Sequence, residues 1–410
     1  MYTLTNELVK IQGSKNVINH RESCLVQMSR EISHDDGVEN IVARDSPRER
    51  SATSKIATAR SFIRSHEVLT FFLLAYAIAW GALALIITFI SGSRIEVFAI
   101  PLLLSAPFAP ALSGIIVTTI NDGRPRQGNI RPQATAFLAV WIATTLIFLL
   151  NPNLKAMYDI SPTIVVISAV TAMIPSFIIS SAYSTKQGVR EYLSSLVKPR
   201  GGRLWYLGAI LIYPALYLLG AAITNASGQG VGWLRADIAG TNLGALVTIT
   251  FLYQLVYSNC VGEEPGWRGF ALRKLQSQYS PLVASLIVSF VWILWHLPLW
   301  YLENGAFTTA YLVRQFLYGG AIGVTISWLY NRSEGSILAV GLMHTSLNTS
   351  VIFLPQTEAL NALLIVLAVL VTILDRMWIG HSDDRHEKER PPLAKEPVRA
   401  LCRQSPLLFN

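Results

Sequence analysis

The 410-residue chain is poor in charge. Asp, Glu, Lys and Arg together make 14% of it, where an ordinary soluble domain carries roughly 25%. That shortage excludes a water-soluble globular protein of normal surface. Cysteine is scarce as well: Cys24, Cys260 and Cys402 stand at unrelated positions, which excludes a disulfide framework or a cysteine-rich metal site. No H-E-x-x-H helix occurs, so the strongest sequence sign of a zinc protease is missing. The first residues lack a basic stub leading into an apolar stretch, so no cleaved signal peptide is expected. The net charge of +8 is modest and needs no nucleic-acid partner to explain it.

What fills the chain instead is apolar: 52% hydrophobic residues and a mean hydropathy of +0.42. The apolar residues gather in ten runs, near 69–90, 97–120, 134–150, 161–183, 204–224, 242–262, 281–300, 315–330, 336–354 and 358–379. About 20 such residues cross a hydrocarbon core of roughly 30 Å. The eighth run is short and the last two are nearly continuous. The expected fold is all-α, a polytopic transmembrane helix bundle of about 9–10 spans. Residues 1–66 and 381–410 are polar, charge-mixed and poor in aromatics, and read as tails that bury too little to fold alone. The transmembrane domain is then 67–380.

Charge in the loops predicts an orientation. One set of short loops holds Arg124, Arg126, Arg131, Lys186, Arg190, Lys198, Arg200, Arg203, Arg268, Arg273, Lys274 and Arg332; the opposite set holds only Arg94, Lys155, Arg235 and Arg314. Twelve against four places both termini in the cytoplasm by the positive-inside rule.

Ionisable groups inside the apolar runs are few and late. Of seven histidines, five lie in polar segments; the others are His296 and His344. Glu263 and Glu264 form an adjacent carboxylate pair in an otherwise apolar stretch. Such groups in hydrocarbon cost several kcal/mol unless paired or hydrated, so each is a functional candidate. A turn at Ser277–Pro281 leaves arms of similar length to Glu263 and His296, which brings them level. His344 is eight residues into a helix starting near Ser336, and Asn348 shares its face one turn on. The helix rise puts this site roughly 10–15 Å below the Lys- and Arg-rich surface. Bland readings stand beside these. Glu264 and Arg268, at i,i+4, are most simply an ion pair. His296 is also readable as a structural hydrogen-bonding histidine, His344 with Asn348 as polar glue between helices, and the tryptophans, Trp292 included, as packing. Pro265-Gly266 is expected to break or kink its helix.

These residues carry a resemblance. The chain is similar to the CAAX prenyl protease 2 and bacteriocin-processing family of intramembrane proteases (CPBP, also called the abortive-infection family). The family pattern is E-E-x-x-x-R, then F-x-x-x-H, then H-x-x-x-N or D, on successive late helices. Glu263, Glu264 and Arg268 match the first motif, His296 the second, His344 and Asn348 the third. Trp292 departs, standing where the family usually has Phe. The likeness covers about 240–355, the expected protease core.

The resemblance implies an endopeptidase cutting near the carboxyl end of a prenylated or otherwise membrane-anchored protein, in contact with membrane lipid. Glu263 and His296 would then activate water, and His344 and Asn348 would stabilise the oxyanion. Glu264 and Arg268 would support the site. Zn²⁺ held by Glu263, His296 and His344 is one cofactor reading; a metal-free glutamate mechanism uses the same residues and stays open. Other classes compete: a non-catalytic immunity or scaffold member of the same family, a secondary transporter, which would tend to show polar groups in both halves, and a haem or quinone protein with two axial histidines, which leaves the glutamate pair unexplained.

Overall fold

The structure, a computed structural model, describes residues 58, 60–90, 105–150, 162–235 and 242–380, leaving out the side chains of 86–90, 303 and 304. Most of the expected tails, 1–66 and 381–410, lies outside these residues. The chain divides into Met1–Phe62 and Ile63–Asn410; only Thr58 and residues 60–62 of the first are described, and the architecture below belongs to the second.

Every labelled element is helical. In chain order they are α1 (Glu67–Ile90), α2 (Ala109–Asn121, entered through a 3₁₀ turn Ala106–Phe108), α3 (Arg131–Leu150), α4 (Pro162–Ser180), α5 (Gln187–Val197) and α6 (Arg203–Ala226). There follow α7 (Leu243–Tyr257), α8 (Pro281–Asn304), α9 (Thr309–Arg332), α10 (Ile337–Phe353) and α11 (Glu358–Leu374). Leaving aside the short amphipathic α5, these helices coincide with the ten apolar runs. Among the described residues, six helical segments are individually long and apolar enough to cross a membrane, and α10, α11 and Ala106–Asn121 are shorter apolar helices. The protein is an integral, multi-pass, all-α membrane protein.

The late helices start where their sequences say they should. Asn242, Ser280, Thr308, Ser336 and Thr357 each cap the next helix, the side-chain oxygen accepting a backbone N–H three residues on at 3.1–3.4 Å. Such a cap contributes about 1 kcal/mol over alanine. Pro281 takes the first position of α8, where its missing N–H costs nothing. Gly305, at φ 75°, closes α8 in the left-handed conformation that glycine accepts readily.

Between α7 and α8 the helix is not broken at Pro265-Gly266, one of the two outcomes (a break or a kink) expected there. The helix widens instead: Asn259–Glu263 and Pro265–Leu272 are π-helical and run into Arg273–Leu275. The Glu263 N–H donates five residues back to the Ser258 carbonyl at 2.9 Å. A wider turn absorbs proline's missing donor without opening the backbone, and π-bulges of this kind gather at functional sites. The widened segment packs backbone-close on α2. A Cβ at Gly266 would collide with Pro110, so only glycine fits there.

Ends of the bundle differ in charge. Lys274 pairs with Glu67, Arg332 with Asp375, and Arg124 with Asp122 at 2.8 Å and Glu191 at 3.2 Å, all at the end where α1, α6, α8 and α10 begin. Arg314 and Arg235 lie at the other end: Arg314 pairs with Glu358 at 3.2 Å, and the Arg235 N–H reaches the Phe353 carbonyl at 3.1 Å. One cation was placed wrongly by the loop count. Arg268 is fully buried inside the bundle, so the Lys- and Arg-rich set is eleven. Of the smaller set, Arg94 and Lys155 fall outside the described residues.

Candidate active site

Glu263 sits in the π-helical segment, 3% exposed, with both carboxylate oxygens engaged. Oε1 accepts from the Ser258 hydroxyl at 2.8 Å and Oε2 from the Trp292 indole N–H at 2.7 Å. Both donors are neutral, and each oxygen keeps a lone pair for a further partner. The carboxylate is therefore aimed, not neutralised.

His296 lies one turn beyond Trp292 on α8. Its Nδ1 is 2.8 Å from the Trp292 carbonyl, an acceptor only, so Nδ1 carries the proton and Nε2 of the neutral ring presents a lone pair. Tryptophans wall the ring: Trp292 and Trp295 meet it edge-on at centroid distances of 5.0 and 4.9 Å, and Trp300 stacks on it at 5.3 Å. Helix α1 braces this stretch of α8. The Trp80 indole donates to the Trp295 carbonyl at 3.1 Å, and Trp295 donates to the Ala75 carbonyl at 3.2 Å.

Glu264 faces the other way. Its Oε1 accepts from Arg268 Nη1 at 2.9 Å and from His344 Nδ1 at 2.7 Å, and the three side chains are 0–2% exposed. An arginine buried this deep stays in hydrocarbon only because a carboxylate meets it. The pair also anchors His344, leaving its Nε2 directed elsewhere. In the neutral ring that atom accepts; as imidazolium it donates. Asn348, one turn along α10, gives one amide hydrogen to Asn259 Oδ1 at 2.9 Å and retains the other.

Four of the six sequence-marked side chains share one space. Glu263, His296, His344 and Asn348 line a cavity of about 690 Å³, whereas Glu264 and Arg268 stand behind its wall. Leu83, Ile322, Leu347 and Leu360 make much of its surface apolar. The cavity occupies the half of the bundle away from the Lys- and Arg-rich loops, reaching exposed Arg314 and Gln356 at the α8–α9 end. Towards the charged end it is plugged by Trp267, Phe270 and Phe71, all 0–3% exposed and packed ring to ring. Equal arm lengths set the level of these residues but not the end towards which the cavity runs.

Sequence reasoning missed three contributors. Trp292 was expected to pack and instead holds Glu263; Ser258 and Asn259 were not singled out at all. Trp292 is four residues before His296 and so shares its face, a signal that was legible. The other two depend on how the widened helix turns.

Whether a metal fits can be judged from the donors. Both imidazoles have Nδ1–H tied to oxygen, which frees Nε2 as metal-ligating histidines require. Yet among the described residues no group of three His, Cys, Asp or Glu side chains is placed to hold an ion. Glu263, His296 and His344 line the cavity without forming a ligand set, so the tentative zinc site is not assembled in this arrangement.

A many-helix membrane bundle with a buried carboxylate, two imidazoles and an amide around one cavity defines an intramembrane site built for polar chemistry. Residues 245–350 match the family described as Type II CAAX prenyl endopeptidase Rce1-like. The chain is also 26% identical over 237 residues to a CAAX prenyl protease 2 from Methanococcus maripaludis, an alignment spanning 54% of this chain and 84% of that protein. Over its late helices the chain is therefore similar to the CPBP family of CAAX-type endopeptidases.

Proposed function

We propose that the protein is an intramembrane endopeptidase that hydrolyses a peptide bond near the carboxyl end of a membrane-bound, CAAX-type prenylated protein. The observation that supports this reading most is the separation of roles: Glu263, His296, His344 and Asn348 line the cavity, and the Glu264–Arg268 pair braces them from behind. Water lies between Glu263 and His296 Nε2. Glu263 takes one proton as the oxygen attacks the scissile carbonyl, and passes it to the departing amine as the C–N bond breaks. The free amide hydrogen of Asn348 and protonated His344 Nε2–H stabilise the oxyanion. Apolar walls suit a prenyl chain. No step is routed through a metal, since the three tentative ligands do not form a set.

The test is cleavage of a fluorogenic prenylated peptide by purified protein in detergent. Glu263→Gln keeps the size and one acceptor oxygen for the Trp292 indole, its amide donating to the Ser258 hydroxyl, but removes the base, so cleavage falls to background while the protein remains folded. A Glu263→Gln variant as active as wild type overturns the mechanism. Wild type folded but inactive on every lipidated peptide favours the non-catalytic family role. Activity lost on exhaustive chelation and regained with Zn²⁺ restores the metal reading.

Orientation joins the proposal. The Lys- and Arg-rich loops, and the tails adjoining them in sequence, are assigned to the cytoplasm by charge. The cavity reaches the opposite end. A prenylated cytoplasmic substrate requires that end to be cytoplasmic, whereas the charge rule confines the substrate to membrane proteins whose carboxyl end is translocated. Labelling from outside the cell separates the two.

A further inference from the structure

One cation in the cavity has no part in the chemistry above. Arg314 lines the cavity at its exposed end, on the same face of α9 as Tyr318 and Ile322, one and two turns deeper. Its guanidinium meets Glu358 through Nη2 alone, at 3.2 Å, and lies 5.7 Å from the centre of the Tyr318 ring. A guanidinium has five N–H donors in a planar fork, so most of this one is unused. Glu358 is itself held from the other side, its Oε2 accepting from Asn361 Nδ2 at 3.0 Å. The acid therefore restrains Arg314 at the rim without covering its fork. Both charged side chains are solvent-accessible, 51% and 76% exposed.

Helix register gives the depth. Gly319 packs against Ile293, and Gly323 against Ser289, which places His296 level with residue 316 of α9. Arg314 is two residues further out, about 3 Å along the helix. Each extended residue spans roughly 3.3 Å. A bond poised at Glu263 with a short leaving peptide directed to the rim therefore brings that peptide's free end into the neighbourhood of Arg314. The free end of a protein is a carboxylate, the planar anion that a guanidinium fork binds in a bidentate way.

Resting on the endopeptidase reading, we infer that Arg314 binds the carboxyl-terminal carboxylate of the substrate and so sets how many residues are removed. Arg314 does not touch the scissile bond. It is a specificity residue that measures the distance from the chain end to the cut.

The experiment compares one prenylated peptide as its free acid and as its carboxyl-terminal amide. A charge-assisted contact of this kind corresponds to about a ten- to hundredfold preference in kcat/KM for the acid. Arg314→Gln brings the acid-to-amide ratio close to one, and Arg314→Lys retains part of it, because lysine keeps the charge and loses the fork. Lengthening the peptide by one or two residues shifts the cut in wild type so that the leaving length stays constant, and ceases to do so in Arg314→Gln. Equal rates for acid and amide with wild type overturn the inference and leave the endopeptidase reading standing. An Arg314→Gln variant that keeps the wild-type ratio does the same. Failure to cleave either peptide overturns the endopeptidase reading, and this inference with it.

Discussion

Glu264→Gln separates structure from chemistry most sharply. In the native protein one carboxylate oxygen receives both Arg268 Nη1 at 2.9 Å and His344 Nδ1 at 2.7 Å, with none of the three side chains more than 2% exposed. Glutamine is nearly the same size and still offers a carbonyl oxygen, so packing and at least one hydrogen bond survive. What disappears is the negative charge, and Arg268 becomes an uncompensated buried cation. Breaking a buried pair by removing one partner costs about 3–5 kcal/mol. That is roughly a hundred- to several-thousandfold shift towards the unfolded form. The assay is unfolding in mixed micelles followed by tryptophan fluorescence, together with the monodisperse fraction recovered after heating. The second perturbation is Glu264→Gln with Arg268→Met, which removes both charges and keeps apolar volume. Replacing a whole buried ion pair is often near neutral, so the double variant recovers most of the lost stability. Activity is a separate readout, because glutamine offers His344 a neutral acceptor in place of the carboxylate. A Glu264→Gln protein as stable as wild type, or a double variant no better than the single, refutes the reasoning.

Asn348→Ala lowers kcat by about 10²–10³ with little change in KM, the loss expected for a donor aimed at an oxyanion; steady-state kinetics with normal kcat and raised KM would show that Asn348 only binds substrate. The Asp122 carboxyl is held at about 2, first by the Arg124 side chain and then by the Gly188 N–H, below the ordinary value of about 3.9. A lowered folded-state pKa stabilises above the unfolded value and is lost as pH falls from about 4 to about 2. Asp122→Asn therefore melts with less pH dependence than wild type across that window, and identical pH profiles remove the claim. For orientation, an introduced cysteine near Arg126 is shielded from an impermeant reagent on intact cells and one near Gly305 is labelled; the reverse pattern overturns the charge-based assignment and places the cavity's exposed end in the cytoplasm.

What the sequence determined by itself was everything that helical geometry settles within one or two turns. Apolar runs located ten of the helices, six of them in segments long and apolar enough to cross a membrane, because a bilayer demands about 20 apolar residues and satisfied backbone hydrogen bonds. Capping is as local: a side chain three residues ahead of the N–H it accepts fixes the start of each helix from α7 to α11. The Glu264–Arg268 pair followed from its i,i+4 spacing, and so did the shared face of His344 and Asn348. The contacts that build the site are of another kind. Trp292 reaches Glu263 across 29 residues, His344 reaches Glu264 across 80, and Asn348 reaches Asn259 across 89. They depend on how each helix is rotated and how deep it sits. The π-helical stretch around Glu263 resets that rotation locally, turning Glu263 into the cavity and Glu264 behind it. The i,i+4 spacing gives Arg268 to Glu264 but says nothing of where Glu263 faces. Only the packing of α2, α8 and α10 around the widened helix turned Glu263 into the cavity and let that cavity run towards Arg314.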